Sequence, residues 1–203
     1  VVVADSERAL GDFAAAVQRE RGTKVLAITG SNGKTSVKTL LLSILGRVGG
    51  AYANPGNRNN EIGLPLAVLD APDDARFAVY EMGAGKPGDI AYLTAIARPD
   101  GALVNNIAPA HLQRMGSLLG VADTKAAIYD ALADDGVAVV NADDAFAPYF
   151  LARAQGRRSV VARFDAQYER RVRGRGRLAF SDLTWLLAGR IHALRGTDDA
   201  DSH

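Results

Sequence analysis

The chain has 203 residues, 48% of them hydrophobic and 23% charged, with a formal net charge of +1. That is enough apolar material for a buried core, and too little charge asymmetry to make the chain as a whole a nucleic-acid or membrane binder. The absence of cysteine excludes disulfides, thiolate metal sites and a cysteine nucleophile. No apolar run approaches the ~18 residues of a membrane span, and VVVADSERAL is too short and acidic for a signal peptide, so a soluble intracellular protein is expected.

Residues 6–20 carry Leu10, Phe13 and Val17 at helical spacing, with Ser6 as N-cap and Gly22 as a stop, and predict a leading helix. Apolar runs at 24–29, 76–82, 101–107, 136–142 and 159–164 read as strands. Helix-length segments lie between them at 34–48, 61–70, 87–97, 120–134 and 144–155, the first with Val37, Leu41, Ile44 and Val48 on one face. Strands apolar on both faces, alternating with helices, predict an α/β domain: a P-loop NTPase-like, three-layer arrangement of a mostly parallel sheet with helices on both faces. Such sheets bind ligands at the carboxyl ends of their strands. The turn at 30–35, Glu81, and the pair Asn105 and Asn106 all fall there.

From residue 165 the alternation stops. All five lysines (24, 34, 38, 86, 125) precede that point, whereas RRVRGRGR packs five arginines into 170–177, and Trp185 sits in a segment that fits one amphipathic helix. The arginines read as a solvated tail, or as a phosphate-binding arm for nucleic acid; the lack of interleaved aromatics favours the tail.

The stretch AITGSNGKTSVK places a glycine-rich turn between an apolar strand and a helix. Such a turn offers backbone N–H groups and a helix N-terminus to phosphate oxygens, with Lys34 as a mobile cation and Thr35 as a hydroxyl for Mg²⁺. Ile28 stands where the usual P-loop has its first glycine, so the spacing is the shorter G-x-x-G-K-T. The competing reading is a plain strand-to-helix turn with Lys34 in solvent.

Other features are ambiguous singly. Glu81 at a strand end is a Mg²⁺ ligand or a solvated terminus. Asn54, Asn57, Asn59 and Asn60 form either a surface loop or a dense donor and acceptor set. His111 has no neighbouring histidine with which to form a zinc site, and Lys125 reads by itself as an exposed helix lysine.

Taken in order, TGSNGKTSVK, NRNNEIGLP, YEMGAGKPGDI, NNIAPAHLQRMGS and TKAAIYD resemble the Mur ligases, especially the branch that adds D-alanyl-D-alanine. The resemblance runs from about residue 1 to about 164. It implies that 1–22 closes an N-terminal substrate domain, that 23–164 is an incomplete central ATP-binding domain, and that 165–203 is an atypical tail with no recognisable C-terminal ligase domain. It further implies a cytoplasmic reaction of peptidoglycan precursor synthesis. ATP with Mg²⁺ phosphorylates the carboxylate of a UDP-muramoyl-peptide, and D-Ala-D-Ala attacks the acyl phosphate. The partners implied are those substrates, with no membrane or nucleic acid, and a monomer at full length.

Carried over by residue, the resemblance puts Gly30, Ser31, Asn32, Gly33, Lys34, Thr35 and Ser36 in the ATP turn, and Thr35 and Glu81 on the first Mg²⁺. It puts His111 on a second ion, Lys125 at the lysine carbamylated by CO₂, and Asn57, Asn59 and Asn60 near substrate or nucleotide. Gln113 stands where the family often has glutamate. Other ligases of the superfamily, of folylpolyglutamate or cyanophycin synthetase type, and an inactive truncated product are the alternatives.

Overall fold

A computed structural model describes residues 2–110 and 112–162; His111 and the tail from 165 lie outside the described residues, as do 163 and 164 of the last expected strand. Six strands form one sheet: β1 (Lys24–Thr29), β2 (Ala51–Ala53), β3 (Phe77–Glu81), β4 (Gly101–Val104), β5 (Val137–Asn141) and β6 (Arg158–Ala162). Their spatial order is β2-β3-β1-β4-β5-β6 and every pairing is parallel. Helices α1 (Ser6–Glu20), α2 (Lys34–Leu45), α3 (Gly63–Leu69), α4 (Asp89–Ala97), α5 (Leu112–Met115), α6 (Leu118–Asp130) and α7 (Ala147–Arg153) complete the described residues.

The crossing order distributes the helices. From central β1 the chain crosses outward to edge strand β2 through α2; every later crossing runs back the other way. Right-handed crossovers therefore put α2 on one face and α3, α4, α6 and α7 on the other. The packing agrees: α2 lies against β1, β2 and β3, while α1, α3, α4, α6 and α7 form a connected layer. That layer closes over Val25, Ala27, Ala78, Tyr80, Ala102, Val104, Ala138 and Val140, which with Ile90, Leu93, Ile128 and Phe150 form the core.

The expected elements are present, with local corrections. Asp5, not Ser6, caps α1 by accepting from the Arg8 N–H at 2.9 Å. Phe13, expected on the inner face, is 60% exposed. The buried stripe is Gly11, Ala14 and Gln18, because Tyr92 packs so close to Gly11 that a Cβ there would sit 2.1 Å from its hydroxyl. Strand β2 and helix α5 were not expected. The three-residue β2 is finished by a side chain: Asn54 accepts from the Glu81 N–H at 2.9 Å and donates to the Glu81 carbonyl at 3.0 Å, as a further peptide group would.

Register places the chemistry. Ile28 pairs with Glu81, and Thr29 with Val104, so β1, β3 and β4 end at one edge beside the point where strand order reverses. That reversal is where doubly wound sheets open a ligand crevice. A cavity of about 400 Å³ opens there. A second, of about 570 Å³, opens at the opposite edge, among Arg21, Lys24, Arg98, Asp100, Ala131 and Asp135.

Candidate functional site

The turn from β1 to α2 depends on its two glycines. Gly30 has φ +149° and Gly33 φ +74°, and a Cβ on Gly30 would meet the Asn106 backbone nitrogen at 3.2 Å. The next loop of the sheet stitches the turn in place. Ser31 N–H donates to the Asn106 carbonyl and Asn32 N–H to Asn106 Oδ1, both at 2.9 Å, while Asn105 Nδ2 donates to the Asn32 carbonyl at 2.7 Å. Helix α2 then starts at Lys34 with Gly33 as N-cap and no side-chain cap. Its first N–H groups have no partner within the helix, and the positive end of its dipole faces the cavity. Lys34 folds back over the turn, its Nζ donating to the Gly30 carbonyl at 2.9 Å.

Behind the turn is a polar cluster around Glu81, itself 4% exposed. Thr35 Oγ1 donates to Glu81 Oε2 at 2.9 Å and Asn59 Nδ2 to Oε1 at 2.9 Å. Lys38 Nζ stands 3.3 Å from Oε2 and also donates to the carbonyls of Asn54 (2.9 Å) and Gly56 (3.0 Å). Burial alone would raise the Glu81 pKa; the hydrogen bonds from Asn59 and Thr35, with the Lys38 charge, outweigh it and hold the carboxyl below its ordinary value. Glu81 is thus an ionised carboxylate beside a hydroxyl, the hard-oxygen pair that suits Mg²⁺.

The 400 Å³ cavity is lined by Gly30, Ser31 and Lys34 on one side. Asn59, Asn60, Lys86, Arg114 and Lys125 line it elsewhere; four cationic side chains face it against two carboxylates, Glu61 and Asp89. Lys125, on α6, is 3% exposed, and burial, reinforced by the Lys34 charge, brings its pKa down to about 8. About a tenth is then neutral amine at pH 7, the form that adds CO₂, against well under a thousandth for an ordinary lysine.

The residues expected from sequence are brought together unevenly. The turn 30–36, Glu81, Asn59, Asn60 and Lys125 converge on this edge. Asn60 is also used locally, its Oδ1 accepting from the Gly63 N–H at 2.8 Å at the start of α3. Asn57 is exposed and is not among the residues lining the cavity. His111 lies outside the described residues. Sequence reasoning missed Lys38 and Arg114. The signal for Lys38 was its place one turn after Lys34, three residues before inward-facing Leu41, where an ordinary lysine would not sit.

Residues 28–183 match the family described as the Mur ligase middle domain. The chain is 43% identical over 144 residues to the UDP-N-acetylmuramoyl-tripeptide--D-alanyl-D-alanine ligase of Escherichia coli (strain K12), covering 71% of this chain and 32% of that one. It therefore spans about a third of that relative's length. A crystal structure of MurF from Acinetobacter baumannii superposes with a TM-score of 0.77 at 36% identity, covering 79% of this chain and 36% of that one. The MurF ligase of Thermotoga maritima, in complex with ADP, superposes with a TM-score of 0.71 at 32% identity, covering 79% and 37%.

Proposed function

Since the chain belongs to the Mur ligase family through its middle domain, we propose that it forms the ATP-binding part of an ATP-dependent amide ligase of peptidoglycan precursor synthesis. The observation that carries this reading is the glycine turn at the α2 N-terminus with Thr35 and Glu81 joined at 2.9 Å behind it. An anion cradle would thus stand beside a hard-oxygen pair, Thr35 on the first turn of α2 and Glu81 at the end of β3. Identity with the Escherichia coli enzyme favours UDP-N-acetylmuramoyl-tripeptide and D-alanyl-D-alanine as the substrates. The neighbour holding ADP favours an adenine nucleotide.

In this reading, residues 23–164 belong to the nucleotide-binding domain and α1 is the linker leading into it. A carboxylate oxygen of the muramoyl peptide attacks the terminal phosphorus of ATP, the bond from that phosphorus to the bridging oxygen breaks, and ADP leaves. The amine of the dipeptide attacks the acyl carbon and loses a proton; phosphate departs and the amide remains. The chain's own residues position and neutralise, as phosphoryl transfer requires. The backbone of 30–36 cradles the phosphates, and Lys34 leaves the Gly30 carbonyl to meet the terminal ones. Thr35 and Glu81 would hold Mg²⁺, which would neutralise phosphate charge. Asn59 keeps the Glu81 carboxylate turned toward Thr35, and together with Asn60 it faces the peptide substrate, with Asn57 farther out on the same loop. Neutral Lys125 would add CO₂ and release a proton, and as a carbamate it would, with His111, hold a second metal ion.

The described residues contain no helix long and apolar enough to cross a membrane. We assign the reaction to the cytoplasm, where its nucleotide substrates are made, and the ligase to a monomer. Isothermal titration tests the core of this proposal. Mg·ATP is expected to bind saturably, with affinity at least about a hundredfold weaker after Lys34→Ala, since a charge-assisted contact to phosphate is lost. Binding that is absent in the wild-type chain, or indifferent to Mg²⁺, overturns it.

A further inference from the structure

The cations of the cavity fall into two sets. Lys34 and Lys125 lie on the helices whose chemistry the ligase reaction already uses. Lys86 and Arg114 approach from other elements, the loop after β3 and the short helix α5. Their surroundings differ from those of the phosphate turn.

Arg114 Nη1 stands 3.8 Å from the position a Cβ on Gly85 would take, and Asp89 Oδ2 stands the same distance from it on the 85–89 loop. Asp89 is engaged otherwise: its Oδ2 accepts from the N–H groups of Gly85 (2.8 Å) and Lys86 (3.0 Å), fixing the entry to α4. Among the described residues no carboxylate lies within ion-pair distance of Arg114. A guanidinium at a cavity wall with no counter-ion among the described residues presents its planar donors to whatever enters. The ligand that planar fork matches best is a carboxylate or a phosphate. The phosphates already have the glycine turn, Lys34 and a helix dipole; the second reactant, which must come within bonding reach of the terminal phosphorus, is a carboxylate.

We propose that Arg114 recognises the carboxylate that is to be phosphorylated, holding it against the wall formed by residues 83–89 while the nucleotide occupies the glycine turn. This rests on the ligase reading above. A lysine in place of Arg114 keeps the charge but loses the paired donors.

The test uses the full chain saturated with Mg²⁺ and a non-hydrolysable ATP analogue, titrated with UDP-N-acetylmuramoyl-tripeptide and with the same compound bearing a carboxamide in place of its terminal carboxylate. Wild type is expected to prefer the acid by about tenfold or more, the scale of a charge-assisted pair. Arg114→Ala is expected to bind acid and amide alike, with nucleotide affinity within about twofold of wild type, and Arg114→Lys to fall between. A merely structural role would weaken both ligands equally and leave the preference intact. Retention of the preference in Arg114→Ala, or no binding of the acid to nucleotide-loaded wild type, overturns the proposal. Failure of the wild type to bind the nucleotide at all instead overturns the ligase reading on which it rests.

Discussion

The two edges of the sheet both carry a cavity lined with basic residues, and the larger one is the less suited to chemistry. At the amino edge, in the 570 Å³ cavity, two of the four lining cations, Arg21 and Lys24, form ion pairs. Lys24 pairs with Asp100 at 2.7 Å, the other oxygen of Asp100 accepts from the Val25 N–H at 2.8 Å, and Arg21 reaches Asp73 at 3.0 Å. The C-caps of α1, α4 and α6 (Arg21, Arg98 and Ala131) all line it, so helix carbonyl ends, with their partial negative charge, point inward. At the carboxyl edge the smaller cavity faces a helix N-terminus, and here, as at the amino edge, four cations line the cavity against two carboxylates. Dipole direction, not volume or charge count, separates the candidate binding site from a gap between helices.

Substitutions at the two edges should therefore behave differently, and the largest loss belongs to Lys34→Ala, which leaves the fold intact while removing nucleotide binding. Next is Lys38→Met. It removes one partner of an ion pair whose side chains are 8% and 5% exposed, leaving Glu81 and two carbonyls under-satisfied. Chemical denaturation should show a loss of about 4 kcal/mol; a loss below about 1 kcal/mol would mean that water reaches the pair and the site is less enclosed than its geometry indicates.

Lys125→Met should act in the opposite direction. The folded chain holds this lysine at a pKa of about 8, below its ordinary value of 10.5, so below pH 8 the folded state carries a buried charge that the unfolded chain solvates freely. As pH rises from 8 to 10.5 the unfolded chain retains more protons than the folded one, and stability rises. The variant should be more stable than wild type by about 3 kcal/mol at pH 7, with that advantage fading across the same window. A pH-independent difference would remove burial of the charged amine as the cause. Smallest is Asp100→Asn at the amino edge. Lys24 and Asp100 are 66% and 39% exposed, so thermal melts should record about 1 kcal/mol or less, with nucleotide affinity unchanged. A nucleotide effect there would break the contrast between the edges.

What could be read from sequence followed the strength of the local signal. The run KVLAIT, the glycines after it and the apolar face of α2 are long and periodic, so strand, turn and helix were all visible, as was the convergence of Glu81 with that turn. Strand β2 was not, because three residues carry no period and its ladder ends on an asparagine side chain, which no pattern of hydrophobicity records. Phe13 misled for the same physical reason in reverse: size suggested burial, but close helix packing on Gly11 selects small residues. Lys38 and Arg114 were hidden because a lysine on a helix and an arginine in a loop read as solvent-facing until tertiary structure supplies the neighbours.

The stitching of the turn by Asn105 and Asn106 has a thermodynamic consequence. The backbone amides proposed to meet a phosphate are held in position by folding itself, so little chain entropy would remain to be lost when a ligand arrives. In that proposal one side chain moves: Lys34, which donates to the Gly30 carbonyl, would exchange it for an anion. That carbonyl keeps the ammonium over the turn, so recognition would reduce to a swap of one acceptor for another.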